Sequence, residues 1–229
     1  MIYSFLSTII MMFVIVASAS SQKKLYINET NIVKIKEEIS KSLVDRIISE
    51  LLVLNNSRGY HNYPLYISIE SSGGSTYQAM RLVQFTKSIN NVHTICIYCE
   101  SAAHAIMQGV EGTRYATLNN ITMAHETMIG LQGYFNIYSL QEYMNTLKIS
   151  KKPMDVQTAK RLKLSLQEYT DKIKNEWNTA GIEIVNQNVA DEIVTIICSK
   201  ELLEDKTNKL VNTAYGPRYI TEDSKCPLI

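Results

Sequence analysis

The stretch Leu65-Tyr66-Ile67-Ser68-Ile69-Glu70-Ser71-Ser72-Gly73-Gly74-Ser75 decides the fold. Its first five residues have strand character, the paired glycines punctuate it, and a helical stretch over residues 76–89 follows. In that stretch Ala79, Leu82, Val83, Thr86 and Ile89 fall on one face. A second strand is expected at His93-Thr94-Ile95-Cys96-Ile97 and a third at Ile121-Thr122-Met123-Ala124. Strand, helix, strand in this rhythm implies parallel strands joined by helical crossovers, an α/β architecture.

Working outward, Ile39, Leu43, Ile47, Leu51 and Leu54 recur at helical spacing and predict a first helix over residues 35–54. Beyond Gly133 the pattern turns mostly helical. Ser139-Leu140-Gln141-Glu142 reads as a capping box, and Leu162, Leu166, Tyr169 and Ile173 line the helix after it. The N-terminus is different in kind. Residues 9–16 are apolar without a charge, and Ala17-Ser18-Ala19 follows. This reads as a secretory signal cleaved after Ala19, with an uncleaved membrane anchor as the competitor. The usual basic residues before the apolar run are missing. Residues 20–229 are then expected to form one domain of about 210 residues, enough for a sizeable core. The expected location is outside the cytoplasm, exported (periplasmic or secreted) or held at the membrane by that N-terminal segment.

Composition narrows the partners. Hydrophobic residues make up 45% and charged residues 20%, the balance of a folded globule. With 23 basic against 22 acidic residues, no basic surface argues for nucleic acid. Cys96 and Cys99 form a C-x-x-C, but no second pair or histidine cluster completes a zinc site. In an oxidising compartment the four cysteines could pair, in a pattern the spacing does not reveal.

Six of the nine glycines fall between Gly73 and Gly133, and they mark where chemistry could lie. At Gly73-Gly74 the backbone can take positive φ and approach a ligand, and exposed N–H groups there could stabilise an oxyanion. The plain alternative is a β–α turn with Ser75 as helix N-cap. Ser101, in Cys99-Glu100-Ser101-Ala102-Ala103, sits where the second strand turns into a short helix. That is a nucleophile's position, or again that of an N-cap serine. His104 reads as a packed or surface histidine. His125 closes the third strand, and histidine is the usual base for a serine nucleophile.

Taken in order, these segments resemble one family, the Clp-protease-like serine peptidases of the ClpP/crotonase superfamily. Ser71-Ser72-Gly73-Gly74 resembles the family's S-P-G-G, with serine in place of proline. Cys99-Glu100-Ser101-Ala102-Ala103 resembles the nucleophile segment, in the form found in exported Clp-like members. Gly109, Gly112-Thr113-Arg114 and, eleven residues after that arginine, Met123-Ala124-His125 follow in register, as does Gln132-Gly133. The resemblance implies a β-α-β superhelical spiral with a parallel sheet and a helical handle at about residues 132–177. It implies a Ser101 nucleophile, a His125 base, and an oxyanion hole from Gly74 and Ala102 with Gly73 shaping the turn. For the third triad member the best match is Asp191, with Glu192 or no acid as alternatives. Peptides or unfolded proteins are the implied substrates, the handle implies a homo-oligomer, and no cofactor is called for. Two other readings stand beside this one. One is a signal-peptide-peptidase type with a lysine base, for which Lys151 and Lys152 lie at the right distance from Ser101. The other is a non-catalytic scaffold. An acyl-CoA enzyme of the crotonase type would leave Ser101 and His125 without a reason to coincide.

Overall fold

A computed structural model of the chain describes residues 22–204, 208–213, 216–221 and 224–227. The expected N-terminal signal or anchor falls outside the described residues. The central sheet has strand order β1-β7-β5-β4-β3-β2, with β6 pairing β5 off that path. Its strands are β1 Lys23–Ile27, β2 Ile32–Ile35, β3 Leu65–Ser71, β4 Val92–Glu100, β5 Arg114–Ala124, β6 Trp177–Ala180 and β7 Glu192–Cys198. Every pairing is parallel except β5 with β6. The mostly parallel α/β sheet expected from the sequence is therefore present.

Helices α1 (Lys41–Arg58), α2 (Thr76–Thr86) and α3 (Ala102–Gly109) cover one face. The main core lies beneath them, where Ile47, Leu51, Ile67, Ile69, Leu82 and Ile106 are fully buried. A second apolar cluster on the other face includes Leu25, Ile27, Tyr66, Ile95, Tyr115 and Val194. Two helices follow the strands, α4 Ile137–Arg161 and α5 Leu166–Ile173, and then come α6 Glu183–Asn186 and α7 Lys200–Glu204. A hairpin of β8 (Asn208–Thr213) and β9 (Gly216–Thr221) precedes the last described residues, 224–227. Cys198, at the end of β7, is disulfide-bonded to Cys226, whereas Cys96 and Cys99 are buried free thiols. Among the described residues, no helix is long and apolar enough to cross a membrane.

Several expectations need correction. Residues 32–35 (Ile-Val-Lys-Ile) are a buried strand, so the first helix starts six residues later, behind Ser40, whose side chain accepts from the Leu43 N–H. Three of those four strand residues are β-branched and stiff at χ1, which suits a pleated sheet. The Ser139 capping box does not start a helix. Helix α4 already begins at Ile137, capped by Asn136, and the reciprocal box forms at Ser165 and Glu168 in front of α5. Leu162 is the C-cap of α4 and not part of α5. The handle region is helical, but residues 125–136 form no strand beside it.

Candidate active site

The β4–β5 register brings the candidate pair together. Glu100 is paired with Met123, and the Ser101 N–H, one residue further on, donates to the Met123 carbonyl at 2.8 Å. Ser101 therefore leaves the sheet alongside the residues that lead to His125. Its backbone is at φ 53°, ψ −119°, a conformation that non-glycine residues seldom adopt. That geometry turns the chain sharply from β4 into α3. The Ser101 side chain makes no capping bond to its own helix. Its Oγ lies 2.8 Å from Nε2 of His125 instead. Ser75, by contrast, is an N-cap, accepting from the Gln78 N–H at 3.4 Å. Ser75 is thus an N-cap and Ser101 is not.

The glycines are fixed by close approach. Gly73 has φ +103°, and a Cβ there would stand 2.7 Å from the Ser101 Cβ and 2.8 Å from the Glu100 carbonyl. Gly74 has φ +136°, and a Cβ there would meet the backbone of Ile39 at 2.8 Å. Backbone bonds flank them. Ile39 N–H donates to Gly73 O at 2.7 Å, and Ser75 N–H donates to Ile39 O at 2.9 Å. Ala102 opens α3, where the first N–H groups of a helix have no partner within it. Gly74, Ser101, Ala102 and His125 line one cavity of about 310 Å³. Unengaged donors beside a serine oxygen are what an oxyanion hole requires.

Asp191 is not in this cavity. It lies just before β7, beside Arg114 at the start of β5, whereas His125 follows the end of that strand. Its carboxylate accepts from the Arg114 backbone N–H at 2.8 Å, from Nε at 3.2 Å and from Nη2 at 2.6 Å. Arg161 approaches it to 3.7 Å. Burial alone would raise this carboxyl, but the Arg114 bonds outweigh it and hold it below the ordinary aspartate value. Asp191 is the counter-ion of a buried arginine, at the far end of the sheet from the histidine. Glu192 is likewise remote, paired with Lys23 at 2.7 Å. Among the described residues, the His125 ring has no hydrogen bond other than the one to Ser101.

Lys151, the lysine of the alternative reading, also reaches the cavity, together with groups the sequence did not assign. Helix α4 brings Lys151 and Asp155 to its wall, and α5 brings Tyr169. Lys151 Nζ is 2.7 Å from Glu126 Oε1 and 3.4 Å from Asp155 Oδ2, with its side chain only 13% exposed. Burial is the main influence on Asp155 and raises its carboxyl despite Lys151. Burial would also raise Glu126, but the bond from Lys151 brings it below the usual range. Lys152 is exposed. His104 is buried in α3 and lines the cavity; burial, with a smaller contribution from Arg114, lowers its pKa to about 4, so it is neutral near pH 7. The i,i+4 spacing of Lys151 and Asp155 was visible in the sequence. Their approach to Ser101 depends on how α4 packs on α3, which no local pattern encodes.

A second cavity of about 270 Å³ adjoins the first through Thr76, Thr127 and Lys151. Its remaining walls are mostly apolar, with Met80, Ile129, Met144 and Leu147. A cleft joining a serine–imidazole pair to an apolar recess has room for an extended chain with a side chain in the recess. Compared with known families, residues 17–196 match the model of the family described as Clp protease.

Proposed function

The chain belongs to the Clp protease family, a family of peptidases, and on that premise we propose that it is a serine endopeptidase acting on peptides or unfolded proteins. The single observation that carries the serine mechanism is the 2.8 Å contact between Ser101 Oγ and His125 Nε2. In this reading His125 takes the Ser101 proton as Oγ attacks the scissile carbonyl. The N–H groups of Gly74 and Ala102 receive the oxyanion. Collapse of the tetrahedral intermediate expels the amine, which His125 protonates, and leaves an acyl-enzyme that water hydrolyses by the same steps. The apolar recess beside the pair would take a hydrophobic substrate side chain.

The test is covalent labelling with a fluorophosphonate. Wild type should label at one serine and Ser101→Ala should not label. An unlabelled wild type would favour the scaffold reading, and an equally labelled Ser101→Ala would remove the assignment. The lysine-base reading has one observation on its side, that Lys151 lines the same cavity. Its ammonium is engaged by two carboxylates, however, and not by Ser101.

Assembly through the handle is the companion proposal, since members of this family typically form oligomers. Export is supported by the apolar N-terminal run and by the Cys198–Cys226 disulfide, which suits an oxidising compartment.

A further inference from the structure

We propose that Lys151 is a positioning residue for His125, acting through Glu126. The inference rests on reading Ser101 and His125 as the catalytic pair. In a serine triad an acid holds the imidazole in its working orientation. Among the described residues no carboxylate does this for His125, whose ring bonds Ser101 alone. The adjoining residue is instead held at both its backbone and its side chain. Glu126 N–H donates to the Ile173 carbonyl at the end of α5 at 2.8 Å. Glu126 Oε1 accepts from Lys151 Nζ on α4 at 2.7 Å.

The second hold costs something to build. Lys151 is 13% exposed, and an ammonium removed from water is stabilised only when paired. Asp155, itself 18% exposed, supplies a second carboxylate one helical turn along at 3.4 Å. The Asp155–Lys151–Glu126 chain thus runs from α4 to the residue bonded directly to His125. It crosses residues 125–136, which have no sheet or helix of their own to fix them. Without it the backbone bond to Ile173 would be the remaining tie from Glu126 to a helix, its carboxylate otherwise accepting only from the neighbouring Thr127 N–H at 3.3 Å, and the imidazole could swing from the serine.

Lys151→Met, Lys151→Arg and Glu126→Gln separate positioning from base catalysis. Arginine keeps the ion pairs but cannot serve as a base at neutral pH. Lys151→Met should slow fluorophosphonate labelling of Ser101 by about 10- to 100-fold, the loss expected when a reacting group is misplaced. Lys151→Arg should restore most of it. The Lys151→Met/Glu126→Gln double variant should be no slower than the worse single variant, because the two residues act as one unit. Ring ¹⁵N shifts of His125 provide a readout independent of turnover. They should move in Lys151→Met and stay in place in Lys151→Arg, whether or not the protein hydrolyses peptides. Unmoved shifts in Lys151→Met overturn the proposal. An inactive Lys151→Arg with unmoved shifts also overturns it, in favour of a lysine base. Failure of wild type to label, with the ring shifts responding as stated, counts against the peptidase reading and not against the clamp.

Discussion

Gly73 stands so close to Ser101 that a Cβ on the glycine would lie 2.7 Å from the Cβ of the serine. The two loops that would supply nucleophile and oxyanion donors are packed against each other at a distance only glycine permits. Gly73→Ala must therefore displace the serine, the Glu100 carbonyl or the glycine loop, and it must also hold φ near +103° against its own side chain. We expect a loss of Ser101 labelling of about 100-fold or more, consistent with misplacement of a reacting group by an ångström. Labelling within a few-fold of wild type would show that the contact relaxes without moving Ser101.

Asp191→Asn should weaken the fold and spare the chemistry. The substitution leaves the Arg114 guanidinium, 4% exposed, without its main counter-charge. Removing one partner of a buried pair costs about 3–5 kcal/mol, and the 39% exposure of Asp191 reduces this to about 1–3 kcal/mol. Its folded-state pKa is depressed, so the contribution is present above the unfolded aspartate value and is lost as pH falls through the folded one. The difference in Tm between wild type and Asp191→Asn should accordingly shrink as pH drops below about 4. Ser101 labelling at neutral pH should be nearly unchanged. A labelling loss equal to that of His125→Ala would return Asp191 to the catalytic set.

Reduction of Cys198–Cys226, or Cys226→Ser, should lower stability by about 3.5 kcal/mol on a chain-entropy estimate for a 28-residue separation. That corresponds to a fall in Tm of roughly 7–14 °C for a chain of this size. Thermal melts with and without a dithiol reductant measure it directly. An unchanged Tm would mean that the segment around Ser224 and Cys226 is held without the bond, for example by the Lys34 ammonium that donates to both carbonyls at 3.3 Å.

Assembly is expected to run through the handle. Tyr134, Ile137, Tyr138 and Ile149 are all more than two-thirds exposed, an apolar display that a lone soluble protein seldom carries. Sedimentation velocity should find wild type as a discrete oligomer and an Ile137→Asp/Tyr138→Asp variant as a smaller species. Equal sedimentation of the two would place the interface elsewhere.

The mature N-terminus tests the proposed export. Edman sequencing of protein recovered from outside the cytoplasm should begin at Ser20. An intact Met1 in the membrane fraction would indicate an anchor, and an intact Met1 in soluble cytosol would exclude both.

Strands β3 and β4 and the end of β5 were legible as short runs rich in β-branched residues. Leu65 to Gly74 and His93 to Ser101 fall into place on that local pattern alone. The Ser101–His125 meeting was also foreseeable, since both residues end neighbouring parallel strands. Asp191 stands out in the sequence because its neighbours resemble a family pattern, while the partner it finds in the fold, Arg114, lies 77 positions away. No periodicity reports a pairing of that separation. The same holds for Lys151, which owes its place at the cavity to the docking of α4 and not to its own neighbours. Strands β1 and β2 were missed because one is short and half exposed and the other runs close to a strongly periodic helix, and β6 and β7 were missed because they follow a stretch whose dominant pattern is helical.

The bond between Cys198 and Cys226 has a consequence for proteolytic clipping. It spans α7 and the β8–β9 hairpin, so a peptide bond cut anywhere between the two cysteines leaves both fragments on one molecule. A protease, whether another enzyme or a second copy of this one, could nick that span and release nothing. The clipped species would migrate with the intact chain until its thiols were reduced, and would be heavier by one water. Nicking there would change the chain's connectivity without freeing β7, whose place between β1 and β5 secures that side of the sheet.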